Sequence, residues 1–480
     1  MSDLSDPYAQ KPWLKHYDPQ VPEFLKYPQK TYMEVVRETT AYIPARTAVY
    51  YMGRGLTFHE LDIFSNQLAH FLIDSGLKPG DTVGVNLPNI PAYYISILAV
   101  QKAGCVLTGV SPLLPPKELE YQLKDSGAKL LVTLDALLAK VAAVVGRTEV
   151  KTLAAASIAD FLSPLKRALG RLLKKIPGGK IRPISGVKVV RFSDVLKRMP
   201  SDRIEEKLEP SAACLMQYTG GTTGPPKGAV LTHRNIVCQL HQVSTWLDIR
   251  AGEESTLISA FPLFHQAGLF LGMTGFAVGA SQVAVPNPRD LNFQISALKT
   301  YKPKGVVNVP TIYLELLKKP AFRALDFSGV EWFISGAAPF PPEYIREFEE
   351  VGWIYTGDVC RMDEDGYFYV VDQVKDMVIV SGYKVFTRAV DDVLMEHPDV
   401  DVAATIGLPD PNRPGSEIVA TAVVLKPWIE KSDAAKEEIT RYMRGKVAPY
   451  KVPKRIEFMD ELPLSPVGKV LKRELRQMMQ

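Results

Sequence analysis

Hydrophobic residues recur at helical spacing in the first third of the chain. Leu61 and Leu68 follow Thr57 and Glu60, a hydroxyl and a carboxylate placed three residues apart as in a capping box. Gly76 then interrupts the pattern, as glycine commonly does after the last turn of a helix. The pattern therefore predicts a helix that begins after Thr57 and ends at Gly76.

Short apolar runs alternate with such helical stretches. Thr82–Val85, Val106–Thr108 and Leu130–Val132 each have the length of a buried strand and lack a helical period. Ala267–Pro286 is charge-free, but its four glycines and final proline favour a buried helix followed by a buried strand over a membrane span. Regular alternation of helix and strand predicts an α/β layered domain with a largely parallel sheet.

Residues 158–182 have a different pattern. Leu162, Leu165 and Leu169 belong to a series of leucines on one helical face, whereas Lys166 and Arg171 belong to a basic series on the other. A basic amphipathic helix can lie on an anionic membrane surface, and a surface helix can equally pack its leucines on its own domain. Both interpretations stay open: peripheral membrane contact through residues 161–176, or packing of that segment on the domain.

Composition narrows the classes of protein that remain. The 480 residues are too many for one ordinary core, so at least two domains are expected. The balance of 57 basic against 53 acidic residues excludes a general nucleic-acid-binding polycation, and no nucleic acid partner is predicted.

Two further features of the sequence bear on the compartment of the protein. The four cysteines lack metal-ligand spacing, and the first residues of the chain are polar and acidic. We therefore expect reduced thiols and a cytoplasmic protein, with any membrane contact made from the inner face.

The segment from Tyr218 to Gly228 concentrates glycine, threonine and lysine after an apolar run that predicts a strand. Glycines allow a tight turn whose N–H groups converge on an anion, hydroxyls add hydrogen bonds, and a lysine adds positive charge. The candidate phosphate-binding residues are Thr219, Gly220, Gly221, Thr222, Thr223, Gly224 and Lys227. Lys227 follows a proline and precedes no Ser or Thr, which disfavours an unrelated P-loop NTPase. An ordinary glycine-rich turn is the remaining alternative.

Further short motifs follow this loop in order. They are Pro262–His265, Ser335–Pro339, Tyr355–Asp358, Lys375-Asp376, Ser381–Lys384 and Pro463–Lys469. With these motifs, the chain resembles the AMP-forming acyl- and aryl-CoA synthetases, which also include luciferases and peptide-synthetase adenylation domains. The resemblance covers essentially the whole chain, and the loop from Tyr218 matches the family's phosphate-binding signature. The Lys11–Leu14 region and the basic segment make the chain most similar to the long-chain fatty acid–CoA ligases.

The resemblance implies a fold and a reaction. The implied fold is α/β, with a large layered N-terminal domain of mostly parallel sheets over residues 1–374. A small α+β C-terminal domain covers residues 376–480, and Lys375 lies at the hinge between the two. The implied reaction uses ATP with Mg²⁺ to convert a fatty acid into acyl-AMP and pyrophosphate. Coenzyme A then displaces AMP.

The resemblance also implies roles for single residues. Lys469 would bridge the acid and the α-phosphate during adenylation, and His265 would lie near the acyl carboxylate. The other implied contacts are Gly336, Ala337, Ala338 and Pro339 with adenine, Asp358 and Gln373 with ribose, Gly382 and Tyr383 with coenzyme A, and Thr222 with the metal ion. Taken alone, Lys469 could be a solvated surface lysine, Asp358 the cap of a turn, and His265 a core histidine.

The sequence departs from the family pattern at three places. Between Pro339 and Tyr355 it lacks an aromatic-glycine-x-threonine-glutamate motif and several tens of residues, which predicts a deletion near residues 351/352 that truncates the large domain. The missing glutamate would hold Mg²⁺. Gln373 replaces an arginine, and Ala389 leaves Asp391 as the one acid of a Glu-x-Glu pair. A degenerate, non-catalytic homologue that binds acyl groups or nucleotide or associates with a membrane therefore stays open, as does a deletion in the gene or an error in its reading.

Overall fold

The computed structural model describes residues 11–172, 178–205, 207–219, 226–336, 354–356, 360–362, 368–370, 377–380, 383–410, 417–464 and 470–479. They belong to two compact units, Asp18–Thr356 and a second unit that joins Met1–Tyr17 to Gly357–Gln480. The predicted deletion point near 351/352 and the hinge residue Lys375 lie outside the described residues. The domain boundary at the hinge therefore stays a prediction.

The first unit alternates strands and helices along the chain. Its strands are β1 (Thr47–Tyr51), β2 (Arg54–Thr57), β3 (Thr82–Asn86), β4 (Val106–Gly109), β5 (Ala128–Leu134), β6 (Thr152–Ala156), β7 (Lys188–Arg191), β8 (Ala213–Thr219), β9 (Lys227–Thr232), β10 (Thr256–Ser259), β11 (Ser281–Ala284), β12 (Gly305–Asn308), β13 (Trp332–Ser335) and β14 (Ile354–Thr356). Its helices are α1 (Tyr32–Thr40), α2 (Phe58–Asp74), α3 (Pro91–Lys102), α4 (Pro116–Asp125), α5 (Leu138–Val145), α6 (Pro164–Leu172), α7 (Phe192–Arg198), α8 (His233–Trp246), α9 (Gln266–Val278), α10 (Leu291–Tyr301), α11 (Pro310–Leu317) and α12 (Pro320–Arg323).

These strands form two mostly parallel sheets. The first has the order β7-β6-β5-β3-β4-β8-β9, and the second has the order β14-β13-β12-β10-β11-β1-β2. In each sheet the edge strand at one end, β9 or β2, is antiparallel to its neighbour, and the remaining pairs are parallel. The prediction of an α/β domain with largely parallel sheets is confirmed.

The buried side chains arrange the unit in layers. Val83 and Leu107 of the first sheet belong to a cluster that also contains residues of α2, α3 and α9. Leu131, on the other face of that sheet, packs with α4 and α5. In the second sheet, Val306 and Phe333 pack with α10, α11 and α12. Each such buried aliphatic or aromatic side chain contributes roughly 1.5–3 kcal/mol of transfer free energy, which holds the layers together.

Two local predictions are confirmed at residue level. Helix α2 follows Thr57, whose hydroxyl accepts from the Glu60 N–H while the Glu60 carboxylate accepts from the Thr57 N–H. Gly76 follows the helix with a φ of 88°, a left-handed conformation that glycine adopts at little cost. The charge-free stretch 267–286 folds as a buried helix, α9, followed by the buried strand β11. In the described part of the chain, no helix is long and apolar enough to cross a membrane.

The prediction for residues 161–176 is wrong in one respect. The described helix in this segment is α6, Pro164–Leu172, so Leu162 precedes it. Leu162 is buried in the domain, whereas Leu165 is 78% exposed, so these two leucines do not share one face. The physical reason is that the helix begins at Pro164. Leu162 lies before this helix, so the helical spacing of the later leucines does not apply to it.

The second unit is small and has an α+β composition. Its described strands are β15 (Cys360–Met362), β16 (Phe368–Val370), β17 (Met377–Val380), β18 (Tyr383–Phe386), β19 (Val400–Pro409), β20 (Glu417–Leu425) and β21 (Arg455–Phe458), and its helices are α13 (Thr387–Met395), α14 (Asp433–Lys446) and α15 (Lys472–Met478). The strands β19-β20-β21 form the largest of its sheets among the described residues. Buried residues of α13 and α14 pack on this sheet in one cluster, and residues of α15 pack on it in another.

Candidate functional site

The parallel strands of both sheets end on the same side of the first unit, which we call the carboxyl edge. Tyr51, at the end of β1, donates a hydrogen bond from its hydroxyl to the Ile158 carbonyl after β6, at 2.9 Å. Gly109, at the end of β4, lies against the loop after β10: a Cβ at this glycine would be 2.6 Å from the Phe264 carbonyl oxygen. Ligands of open α/β sheets bind at such edges, so the candidate site lies there.

The predicted phosphate loop joins two paired strands at this edge. Thr219 ends β8 and pairs with Lys227, which begins β9, so these two strands form the stems of a hairpin. The Lys227 side chain is exposed. For Thr219 the structure describes the backbone only, and the predicted residues Gly220, Gly221, Thr222, Thr223 and Gly224 lie outside the described residues.

Helix α4 anchors both stems of this hairpin. The Tyr218 hydroxyl donates to Asp125 Oδ2 at 2.6 Å, and the Tyr121 hydroxyl donates to the Pro226 carbonyl at 2.9 Å. Burial, followed by the hydrogen bond to Asp125, raises the pKa of Tyr218, so its hydroxyl stays a proton donor at neutral pH. Sequence reasoning missed Asp125 and Tyr121 because about a hundred residues separate them from the loop, with no motif to connect them.

His265 lies at the start of α9, at the carboxyl edge. It is the N-cap residue of that helix, and its Nδ1 accepts from the Ala267 N–H at 3.4 Å. The side chain is exposed, so His265 is not a core histidine. The structure therefore leaves its ring accessible at the end of β10, where the resemblance places the acyl carboxylate.

A buried asparagine holds the loop that leads to His265. Asn89 Nδ2 donates to the Phe261 carbonyl at 2.9 Å, and its Oδ1 accepts from the Leu263 N–H at 2.8 Å. The side chain is 3% exposed, and its two bonds flank Pro262 like one rung of a β-ladder. We call this pair of bonds the Asn89 clamp. The sequence carried no signal for it, since Asn89 precedes the loop by more than 170 residues.

The His265 loop also meets the predicted adenine segment. Gly336 follows β13, and a Cβ built on it would lie 3.7 Å from Cζ of the Phe261 ring. The first residue of the segment and the His265 loop are thus neighbours at the carboxyl edge. Its remaining residues, Ala337, Ala338 and Pro339, lie outside the described residues.

In the second unit, most of the predicted site residues lie outside the described residues, but the residues on either side of the Lys469 segment are described. Leu464 and Val470 form an isolated antiparallel bridge on either side of the segment that carries Lys469. The Leu471 N–H donates to the Pro463 carbonyl at 2.8 Å, so the base of this segment is closed by backbone hydrogen bonds. Lys469 lies outside the described residues, as do Asp358, Gln373, Lys375 and Gly382, and Tyr383 is described in its backbone only.

One group of side chains in the described residues could bring three metal-ligating atoms together. His397, Asp399 and Glu438 of the second unit each place one such atom within 4.8 Å of the others. The Asp399 N–H donates to His397 Nδ1 at 3.2 Å, so the neutral ring carries its proton on Nε2 and has no free lone pair. At the carboxyl edge of the first unit, the described residues bring no such group together.

Comparison with known proteins gives two family matches and many full-length relatives. A model described as AMP-binding enzyme matches residues 36–357, and one described as AMP-binding enzyme C-terminal domain matches residues 389–469. A long-chain-fatty-acid–CoA ligase of Bacillus subtilis (strain 168) is 30% identical over 97% of this chain and 98% of its own length. The enzyme of the same name from Escherichia coli O157:H7 is 28% identical over the same shares.

A solved structure gives the same fold. The chain is similar to ATP-bound MatB from Rhodopseudomonas palustris with a TM-score of 0.77, over 94% of this chain and 99% of that one. At 19% sequence identity this similarity shows the fold alone. The α/β fold with a smaller C-terminal sheet domain is thereby confirmed.

The alignment with the Bacillus subtilis protein also measures a difference in length. It runs over 555 positions, which exceeds the 480 residues of this chain by 75. At least 75 positions of the alignment therefore have no residue in this chain. The relative has a residue at each of these positions, while their placement near residues 351/352 stays a prediction.

Proposed function

The chain belongs to the AMP-binding enzyme family, and on this premise we propose that it is an AMP-forming long-chain fatty acid–CoA ligase. Its substrates would be a fatty acid, ATP and coenzyme A. The observation that carries the proposal is similarity to long-chain-fatty-acid–CoA ligases over 97% of the chain. The neighbouring positions of the His265 loop and Gly336 at one edge support it.

In the first half-reaction, a carboxylate oxygen of the fatty acid attacks the α-phosphorus of ATP. The bond from that phosphorus to the bridging oxygen breaks, and pyrophosphate leaves as acyl-AMP forms. Negative charge gathers on the phosphate oxygens, so the protein's part is mainly positioning and charge stabilisation. Lys227 and the loop after Thr219 would hold the β- and γ-phosphates, and Lys469 would bridge the acid and the α-phosphate.

In the second half-reaction, the thiol sulfur of coenzyme A attacks the acyl carbon. The bond from that carbon to the AMP oxygen breaks, AMP leaves, and the thiol proton passes to solvent. Gly382 and Tyr383 would border the pantetheine arm, and rotation at Lys375 would exchange the two half-reactions. Asp358 and Gln373 would hold the ribose of the nucleotide in both.

The proposal gives Mg²⁺ one role, which is to accompany the phosphates of ATP. The cation commonly binds substrate phosphates through one or two protein groups and several waters. We propose that it would accompany ATP, with the Thr222 hydroxyl as a protein contact. No step above depends on this ion.

Fatty-acid-dependent exchange of pyrophosphate into ATP tests the first half-reaction. We expect exchange by the purified chain, and a loss of about 10²–10³-fold in Lys469→Ala, since a charge aimed at the transition state is removed. Lys454→Ala, an exposed lysine of the same unit, is the matched control and should keep the wild-type rate. Absence of exchange with every chain length would instead favour the non-catalytic homologue.

We also propose that residues 161–176 make peripheral contact with an anionic membrane. Residues 161–182 contain seven basic and no acidic residues; without them the chain would have 50 basic and 53 acidic residues. Lys166 is exposed, and its Nζ donates to the Met52 carbonyl at 2.6 Å, just after β1. Helix α6 therefore lies at the carboxyl edge of the first unit. Each basic residue near an anionic membrane surface contributes about 1 kcal/mol.

A further inference from the structure

Helix α4 makes hydrogen bonds to more than the hairpin of the phosphate loop. The strands β4, β8 and β9 lie side by side at one end of the first sheet. Tyr121 holds the Pro226 carbonyl. Asp125, one turn later on the same face of the helix, holds the Tyr218 hydroxyl. Gln122 leaves the helix about 100° further round than Tyr121, so it meets a different strand, β4.

Gln122 holds the last residue of β4. Its Nε2 donates to the Gly109 carbonyl at 2.9 Å, and the side chain is 6% exposed, so the bond is made away from water. The pairing of β4 with β8 ends at Thr108, one residue before Gly109. The next carbonyl, that of Val110, accepts from Asn86 Nδ2 at 3.1 Å. Two buried side-chain amides thus bind carbonyls that lie beyond the last β4–β8 pair.

Gly109 in turn supports the His265 loop. A Cβ at this position would lie 2.6 Å from the Phe264 carbonyl oxygen and 3.0 Å from the Tyr93 hydroxyl. The φ of Gly109 is not positive, so the close approach, rather than the backbone conformation, favours glycine here. Phe264 directly precedes His265. The end of β4 therefore touches the loop one residue before the predicted acid-side residue.

The His265 loop has two supports, and they bear on different residues. The Asn89 clamp fixes the residues on either side of Pro262. Contact with Gly109 bears on Phe264, which follows the clamped residues. The place of His265 therefore depends on Gly109 as well as on the clamp.

The connection from β4 to α4 is also held. Lys140 of α5 donates from its Nζ to the Pro112 and Leu114 carbonyls, at 2.6 and 2.9 Å. A shift of α4 relative to β4 would therefore break several hydrogen bonds at once. Such a support can fix the spacing between two loops, and adenylation needs a fixed spacing because the carboxylate oxygen must meet the α-phosphorus.

We propose that Gln122 is a positioning residue for the His265 loop, which it holds through Gly109. Together with Tyr121, which holds the residue before Lys227, it makes α4 one support for the acid side and the phosphate side of the site. This inference rests on the proposed function, in which His265 lies near the fatty-acid carboxylate and Lys227 binds phosphate. Gln122 touches neither substrate. Its effect reaches the reaction through the His265 loop, because small misplacements of a reacting group cost large factors in rate.

Gly109→Ala tests the contact from the side of the strand. The added Cβ and the Phe264 carbonyl oxygen must move apart from 2.6 Å to at least 3.4 Å. We expect the KM for fatty acid to rise about 10- to 100-fold, with the KM for ATP within about threefold of the wild type. Gly84→Ala is the matched control, because its Cβ would meet only the side chain of Leu131 this closely, at 2.7 Å. An equal KM for fatty acid in both variants would overturn the proposal.

Gln122→Met tests the contact from the side of the helix, since methionine keeps the length of the side chain and loses the N–H donor. Gln101→Met is the matched control: Gln101 is buried, and its Nε2 donates to the Cys214 carbonyl at 3.1 Å, near the opposite end of β8. Both variants should lower the melting temperature, but Gln122→Met alone should raise the KM for fatty acid, by about 3- to 10-fold. A KM that rises equally in both, or in neither, would reject a positioning role.

Hydrogen exchange of the backbone, followed by mass spectrometry, is independent of activity. We expect peptides that cover residues 259–270 to exchange about 10-fold faster in Gly109→Ala and Gln122→Met than in the wild type and the two controls, Gly84→Ala and Gln101→Met. Equal exchange in all five proteins overturns the support, whether or not the chain is a ligase. The expected exchange pattern, in a wild type that shows no fatty-acid-dependent pyrophosphate exchange, would support the contact and reject only the proposed function.

Discussion

The two loops that are proposed to carry the positive charges of adenylation are held in different ways. Two tyrosine hydroxyls hold the stems of the phosphate loop in the first unit. The Tyr218 hydroxyl donates to Asp125, and the Tyr121 hydroxyl donates to the Pro226 carbonyl. The stem of the Lys469 segment in the second unit is held by the hydrogen bond from the Leu471 N–H to the Pro463 carbonyl and by the hydrogen bond from Lys472 to the Thr387 hydroxyl. Burial raises the pKa of Tyr218 in the first unit above its usual range, whereas burial raises the pKa of Asp391 in the second unit to about 7. The comparison therefore assigns pH sensitivity to the second unit.

The same contrast applies to the His265 loop. The Asn89 clamp joins neutral groups only, and each backbone partner is satisfied. An amide cannot titrate in the working range of an enzyme, so this loop should keep its place from pH 6 to 9. The position of the His265 loop is thus fixed by neutral hydrogen bonds, and changing it requires mutation rather than a change in pH.

The largest effect should come from breaking the Asn89 clamp. Asn89→Ala removes both bonds and leaves the Phe261 carbonyl and the Leu263 N–H buried without partners. Each unsatisfied group costs about 1–3 kcal/mol, so we expect a loss of about 2–5 kcal/mol in the free energy of unfolding. Denaturant titration of the purified variant measures it.

The control for this prediction is another buried asparagine of the same unit. Asn66, another buried asparagine of the first unit, donates to the Ser201 carbonyl far from the His265 loop. Asn66→Ala should therefore destabilise the unit without changing the KM for fatty acid, whereas Asn89→Ala should raise that KM as well. If both variants affect KM alike, the clamp has no specific link to the His265 loop.

A smaller effect is expected from the stem of the phosphate loop. Tyr218→Phe removes one hydrogen bond to Asp125, at a cost of about 1–2 kcal/mol because the acceptor is charged. We expect a higher KM for ATP, with no change in the shape of the pH profile between 6 and 9. Tyr42→Phe, which alters a tyrosine that is 87% exposed, serves as the control. A new pH dependence in Tyr218→Phe would break the contrast between the two units.

The smallest effect on the folded chain should come from the surface of α6. Leu165 is 78% exposed, so Leu165→Glu should not lower the melting temperature. It should weaken binding to vesicles that contain phosphatidylglycerol by about 10-fold, since apolar area is lost and a charge of the wrong sign is added. Trp428→Glu, at an equally exposed apolar residue of the second unit, should leave vesicle binding unchanged. Equal loss in both variants would refute contact through residues 161–176.

The sequence predicted local features better than long-range contacts. The capping box at Thr57, the strand before the phosphate loop and the helix in the charge-free stretch depend on neighbouring residues, and the structure confirms them. The common phase of Leu162 and Leu165 was wrong because Pro164 begins a new helix between them. The spacing of leucines along the sequence does not by itself show where a helix begins.

The supports of the candidate site could not be predicted from one sequence. Asn89 reaches Leu263 across 174 residues, and Tyr218 reaches Asp125 across 93. Asp391 stood out in the sequence only as the remnant of an acidic pair, and the burial of its Oδ1 atom depends on how α13 packs on β19. These contacts are set by the packing of layers, which no local pattern encodes.

Formation of an acyl thioester by the purified chain tests the central claim most directly. The chain would be incubated with palmitate, ATP, Mg²⁺ and coenzyme A, and the products identified by mass spectrometry. We predict palmitoyl-CoA and AMP in equal amounts, with neither formed by Lys469→Ala. Bound palmitate without any thioester or AMP, in a chain whose melting curve is cooperative, would contradict the claim that this shortened member of the family is a working ligase.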